Sequence, residues 1–64
     1  MDFDDLRSFQ QGEGWNWQAP RSGGSHHRFW KVGERVILSI PTVGGRKVKR
    51  TYIALVVKTL GLQD

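Results

Sequence analysis

Near the start of the chain, Phe3, Leu6, Phe9 and Gln10 fall at the three- and four-residue spacing that places side chains on one face of a helix. Asp2, Asp4 and Asp5 stand where the positive end of a helix dipole favours acids, and Gly12 and Gly14 follow as stops. A first helix is predicted over roughly residues 3–11. The pattern then changes to alternation. "WNWQA", residues 15–19, interleaves large apolar with polar groups as a half-buried strand does, and "PRSGG" after it reads as a turn or flexible loop. "HHRFWK", residues 26–31, predicts a second strand, and "VGE", residues 32–34, a tight connection through Gly33. "RVILSIP", residues 35–41, gives the strongest strand signal, being rich in β-branched residues and closed by Pro41.

The tail "RTYIALVVKTLGLQD" carries both signals, because "YIALVV" has strong β propensity while Ile53, Val56, Val57 and Leu60 recur at helical spacing. Gly61 decides for a helix. It stands where a helix ending near Leu60 needs a left-handed residue, with Leu62 folding back on the last turn and Lys58 near the negative end of the dipole. Leu55 falls off the main stripe. The predicted order is α-β-β-β-α, a small α+β domain over residues 1–64 with a three-stranded antiparallel sheet and both helices on one face.

Alternation along the second strand separates two sets of side chains: His26, Arg28 and Trp30 on one face, His27, Phe29 and Lys31 on the other. Val36, Leu38 and Ile40 form the strongest apolar set of the third strand and belong beneath the helices. Phe29 joins them, which takes His27 inward and leaves His26 outward with Arg28.

Charge sharpens this picture. Residues 1–20 hold four acids against Arg7, net −3, while residues 21–64 hold nine Lys and Arg against Glu34 and Asp64, net +7. "GGRKVKR", residues 44–50, concentrates the basic part. A polyanion such as RNA or DNA suits that asymmetry, and a solvated basic surface kept for solubility is the plain alternative. A chain of this length buries only about 60% of the surface its unfolded form exposes, which leaves room for one site and one partner surface. There is no cysteine, so neither a disulfide framework nor a thiolate zinc site supplements the core. The opening "MDFDDLRSF" is acidic where a secretory signal needs a basic start, and no apolar run approaches the roughly 20 residues that span a bilayer, so a cytoplasmic protein without a membrane partner is expected.

Candidate chemistry centres on "GGSHHRF", residues 23–29, which holds both histidines of the chain. A metal site needs at least three convergent ligands, and two adjacent histidines on opposite faces supply one each, so no metal or other cofactor is expected. Proton transfer needs one exposed histidine beside cations that hold phosphate, and His26 with Arg28 and the nearby Arg21 meets that description. Polar filler on a basic strand is the competing account. Gly23, Gly24 and Ser25 let a backbone approach a phosphate closely, or form a simple flexible link. Trp15, Trp17 and Trp30 are candidates either for stacking unpaired bases or for the core.

From this motif onward the chain resembles the HicA toxins, small mRNA interferases of bacterial toxin-antitoxin pairs with a double-stranded-RNA-binding-like fold. Their Gly-Ser-His-His hallmark, followed by a variable and then an aromatic or apolar residue, stands here as Gly24, Ser25, His26, His27, Arg28 and Phe29. The likeness runs on through "VILSIP" and through Thr51 into a final helix ending "KTLGL", about 40 residues in all. "TVGGRKVK" replaces the family's His-Pro and Lys-rich segment, keeping the charge. The resemblance implies a single HicA-like domain that cleaves mRNA without a metal, with His26 as the catalytic residue and a HicB-type antitoxin as protein partner. Gly24, Ser25, Arg28, Lys47, Lys49 and Arg50 would hold the RNA. A non-catalytic RNA-binding domain of the same fold is the alternative, since recognising RNA shape requires no histidine at position 26.

Overall fold

The computed structural model describes residues 1–22 and 24–61. Its elements are α1 (Phe3–Gly12), β1 (Asn16–Gln18), β2 (His26–Trp30), β3 (Leu38–Pro41) and α2 (Arg50–Thr59), in the α-β-β-β-α order that the periodicities predict. The strands pair antiparallel in chain order, with Trp17 opposite Phe29 and Phe29 opposite Leu38. Because side chains alternate, this register lays Trp17, His27, Phe29, Leu38 and Ile40 on one face, and Gln18, His26, Arg28, Trp30 and Ser39 on the other.

Phe3 and Leu6 from α1, Phe29, Leu38 and Ile40 from the sheet and Val56 from α2 join Trp15 and Val48 in one buried cluster. Both helices therefore cover the same face of the sheet. Each such side chain contributes roughly 1.5–3 kcal/mol when taken fully out of water, so this single layer is the main source of stability. Phe9, expected in the α1 stripe, is instead exposed, while Gln10 is wholly buried. At 3.6 residues per turn Phe3, Leu6 and Gln10 cluster on one side of the helix, and Phe9 falls at the edge of that stripe. Neither polar atom of the Gln10 side chain, nor Trp15 Nε1, has a hydrogen-bond partner among the described residues.

All three strands are shorter than expected, β1 losing residues 15 and 19, β2 residue 31 and β3 residues 35–37. Trp15 is not part of β1, since its N–H donates to the Gln10 carbonyl (3.0 Å) and helps close the end of α1. β3 starts at Leu38, so the tight link expected over residues 32–34 becomes a longer one over 31–37, and Val36 is 46% exposed where burial was expected. The chain turns off the sheet at Lys31, whose ammonium donates to the Glu13 carbonyl (2.9 Å) and whose own carbonyl accepts the Glu34 N–H (3.0 Å). With β2 ended at Trp30, Phe29–Leu38 is the last pair and Val36 has no strand opposite it.

After β3 the chain folds into a turn closed by the Val43 N–H donating to the Lys47 carbonyl (2.8 Å). Residues 1–3 lie along the far side of that turn: Phe3 N–H donates to the Arg46 carbonyl (2.7 Å) and Val48 N–H to the Met1 carbonyl (3.1 Å). In α2, Val56 is buried, Ile53 and Leu60 pack partly against the core, and Leu55 points away as the spacing predicts. Gly61 adopts φ +70° and donates to the Lys58 carbonyl, the left-handed stop expected at that position. Leu62, predicted to fold back on the last turn, lies outside the described residues. Among the described residues no helix is long and apolar enough to cross a membrane.

Candidate functional site

Strand β2 presents its two histidines to different environments. His27 stacks on Phe3 (ring centroids 3.7 Å apart, planes 30° apart), and its Nδ1 accepts a hydrogen bond from the Trp17 indole N–H at 3.0 Å. Trp17 lies nearly parallel to His27, and its outer face carries the Arg7 guanidinium 4.7 Å from the ring centroid. An Nδ1 that accepts a hydrogen bond carries no proton, so the ring here is the neutral tautomer with its proton on Nε2. Burial pushes the His27 pKa below its ordinary value and the Arg7 charge pushes it the same way, with Asp4 opposing. On balance the surroundings of His27 favour an uncharged ring engaged with its neighbours.

His26 is one residue away and exposed on the open face, opposite Pro41, with no side-chain hydrogen bond among the described residues. It lines a shallow groove of about 250 Å³ together with Gln18, Ala19, Pro20, Arg21, Gly24 and Arg28. The groove exists because β1 ends at Gln18 and the chain must cross back to β2 through a turn, closed by the Gly24 N–H donating to the Arg21 carbonyl at 2.8 Å. A side chain at position 24 would put its Cβ 3.1 Å from that carbonyl, a tight contact that the absence of a side chain avoids. Ser25 is held just before the start of the central strand β2, its carbonyl accepting the Thr42 N–H (3.0 Å). Gly23 lies outside the described residues.

The structure thus brings His26, Arg28 and Gly24 into one concave surface with Arg21, and sets Ser25 beside it. The basic segment is distributed differently. The chain leaves the sheet next to Ser25 and passes directly into the Val43–Lys47 turn, so this turn emerges at the His26 end of the sheet. Lys47 is paired there: its ammonium contacts Asp2 Oδ1 at 2.7 Å, and the hydrogen bond and opposite charges hold the Asp2 carboxyl below its ordinary range and the Lys47 ammonium above. Lys49 and Arg50 are exposed at the start of α2, with no acid in its first turn. Cations at the positive end of a helix are disfavoured by about 0.3–1 kcal/mol each, so folding alone gives no reason for this placement.

Sequence reasoning did not single out Gln18, which the register places opposite Arg28, nor the partnership of Trp17 with His27. The only signal for either was the alternation of "WNWQA", which gives a face but no cross-strand neighbour. Of the three tryptophans, Trp15 is core, Trp17 is held between Arg7 and His27, and only Trp30 stands exposed on the open face. Among the described residues no group of three or more His, Asp or Glu side chains is placed to hold a metal ion. In comparisons with known proteins, the chain matches no family model, no curated protein and no solved structure.

Proposed function

We propose that this protein is an RNA-cleaving toxin of the HicA type, a metal-independent endoribonuclease acting on mRNA in the cytoplasm and held in check by a HicB-type antitoxin. The observation that carries this reading is the division of labour on β2. His27 is engaged in the covered layer, while His26 faces a groove it shares with Arg21 and Arg28. A ring nitrogen of His26 takes the proton of a ribose 2′-hydroxyl as that oxygen attacks the adjacent phosphorus. The bond to the 5′-oxygen breaks, and that oxygen leaves with a proton from water. The products carry a 2′,3′-cyclic phosphate and a 5′-hydroxyl. General base action of this kind contributes about 10² to 10⁴ in rate. Arg28 offsets charge developing on the phosphate, Gly24 and Ser25 give the backbone close approach to it, and Lys47, Lys49 and Arg50 hold flanking phosphates.

A second reading, a non-catalytic RNA-binding domain, is favoured by one observation. The groove residues besides His26 include only arginines as charged groups, and an arginine does not give up its proton to a leaving oxygen. One experiment separates the two: purified protein and its His26→Ala variant are incubated with RNA in EDTA. The toxin reading expects cleavage with the named termini by the wild type, no cleavage of DNA, and at least a hundredfold loss in His26→Ala at an unchanged melting temperature. Salt-dependent binding without cleavage by the wild type would select the binding module.

A further inference from the structure

The open face carries one large aromatic side chain that lies outside the core cluster. Trp30 is 37% exposed and lies on the same face as His26 and Arg28, at alternate positions of one strand. The covered layer is complete without it, as the core is built from Phe29, Leu38 and Ile40 beneath the helices. Its backbone is held in the sheet, paired with Asn16, whose side-chain amide also donates to the Trp30 carbonyl (3.4 Å). The indole is therefore a surface aromatic fixed on a rigid strand rather than on a mobile loop. It lies four positions along the strand from His26, about 13 Å at the usual rise of a strand.

Such an arrangement suits one form of nucleic acid. In a duplex, both faces of every internal base are covered by its neighbours, and a protein meets only backbone and groove edges. In a single strand the base faces are available, and aromatic rings on a sheet receive them while cations beside the rings track the phosphates. We infer that Trp30 is a stacking platform for an unpaired base, and that the open face takes single-stranded RNA running along β2 with Arg28 between the stacked base and the bond presented to His26. This rests on the reading of the open face as an RNA surface, and it names the strandedness that the reading leaves open.

The test uses full-length protein carrying His26→Ala, so that RNA stays intact, with labelled single-stranded and duplex RNA of the same sequence. Binding is followed by anisotropy of the label and by tryptophan emission. The expected result is tighter binding of the single strand accompanied by quenched emission. Trp30→Ala then weakens single-strand binding about tenfold or more and leaves duplex binding unchanged. Trp30→Phe keeps much of the affinity but loses the quenching, because Trp15 and Trp17 are covered, and this variant decides the matter if Trp30→Ala fails to fold. Single-strand binding that is indifferent to Trp30→Ala, or undiminished quenching in Trp30→Phe, overturns the stacking platform and leaves the RNA reading standing. A preference for duplex does the same. No RNA binding by the parent protein removes both.

Discussion

The two faces of β2 make the most instructive comparison in the molecule. His27 and Phe29 are tied to their surroundings by ring stacking, an indole hydrogen bond and complete burial of Phe29, whereas His26, chemically identical to His27 and one residue away, is exposed and lies with Arg28 over a groove. The difference is not in the side chains but in the period of a strand, which assigns neighbours to opposite sides. In a domain with a single covered layer, that assignment decides which of two like residues serves stability and which is left available to a partner.

Removing a member of the covered side should break the comparison most visibly. Phe29→Ala takes out a wholly buried ring, with an expected loss of about 3–5 kcal/mol. A domain of this size is stabilised by only about 3–10 kcal/mol in total, so denaturant unfolding should show little folded protein left. Arg28→Ala, its neighbour on the open side, should change the unfolding midpoint by no more than about 0.5 kcal/mol. Comparable losses from the two would mean that the faces have been exchanged.

His27 tests the same contrast at smaller amplitude. His27→Ala leaves the Trp17 indole without its acceptor and Phe3 without its stacking partner, an expected loss of about 1–3 kcal/mol, or roughly 4–8 °C in Tm per kcal/mol. Its pH dependence has a definite sign. A histidine whose folded pKa is depressed holds fewer protons folded than unfolded, so its contribution to stability is fully present above the ordinary value of about 6.5. That contribution is lost as pH falls from there through the depressed value. Melting from about pH 8 down to about pH 5 should show a decline that is flattened in His27→Gln. A decline of equal size in both would place its origin elsewhere.

Gln10 gives the smallest expected effect and the finest test. It is the polar exception within the covered layer, buried with an unpartnered amide. Gln10→Leu should raise stability by up to about 1 kcal/mol in thermal melts, because it removes two polar atoms and keeps the volume. A lower Tm would show that the amide makes a contact the core depends on.

How much of this was legible in the sequence depends on how far apart the determining residues are. The order of elements, the inward place of Phe29 and the outward place of His26 all followed from local period. Gly61 announced the end of α2 because a left-handed residue is required at one position there. What the sequence concealed depends on partners brought together by folding. Val36 looked like a core residue, but the β2–β3 pairing ends at Phe29–Leu38 and leaves it without a strand opposite. Lys47 looked like an unpaired surface cation, but it meets Asp2 across 45 positions. Gln10 shares the helical spacing of Phe3 and Leu6 in the sequence, and the structure buries it on that face despite its polarity. Within the candidate site, Gly24, His26 and Arg28 were visible as a motif on one strand and its leading turn, while Gln18 enters only through the register of β1 against β2.

The bridge between residues 1–3 and residues 46–48 bears on the order in which the chain is made. Translation produces α1 before the later elements, yet Phe3 and Leu6 find their packing partners on β2, β3 and α2, and the backbone groups of Met1 and Phe3 find theirs on Val48 and Arg46. A ten-residue helix does not hold itself together in water, so α1 has nothing to keep it formed until those later segments emerge. The helix is thus made before the segments that secure it. A growing chain has no finished layer beneath its sheet until α2 is made, and core, sheet and open face are secured together once Val56 has reached the space between α1 and the strands.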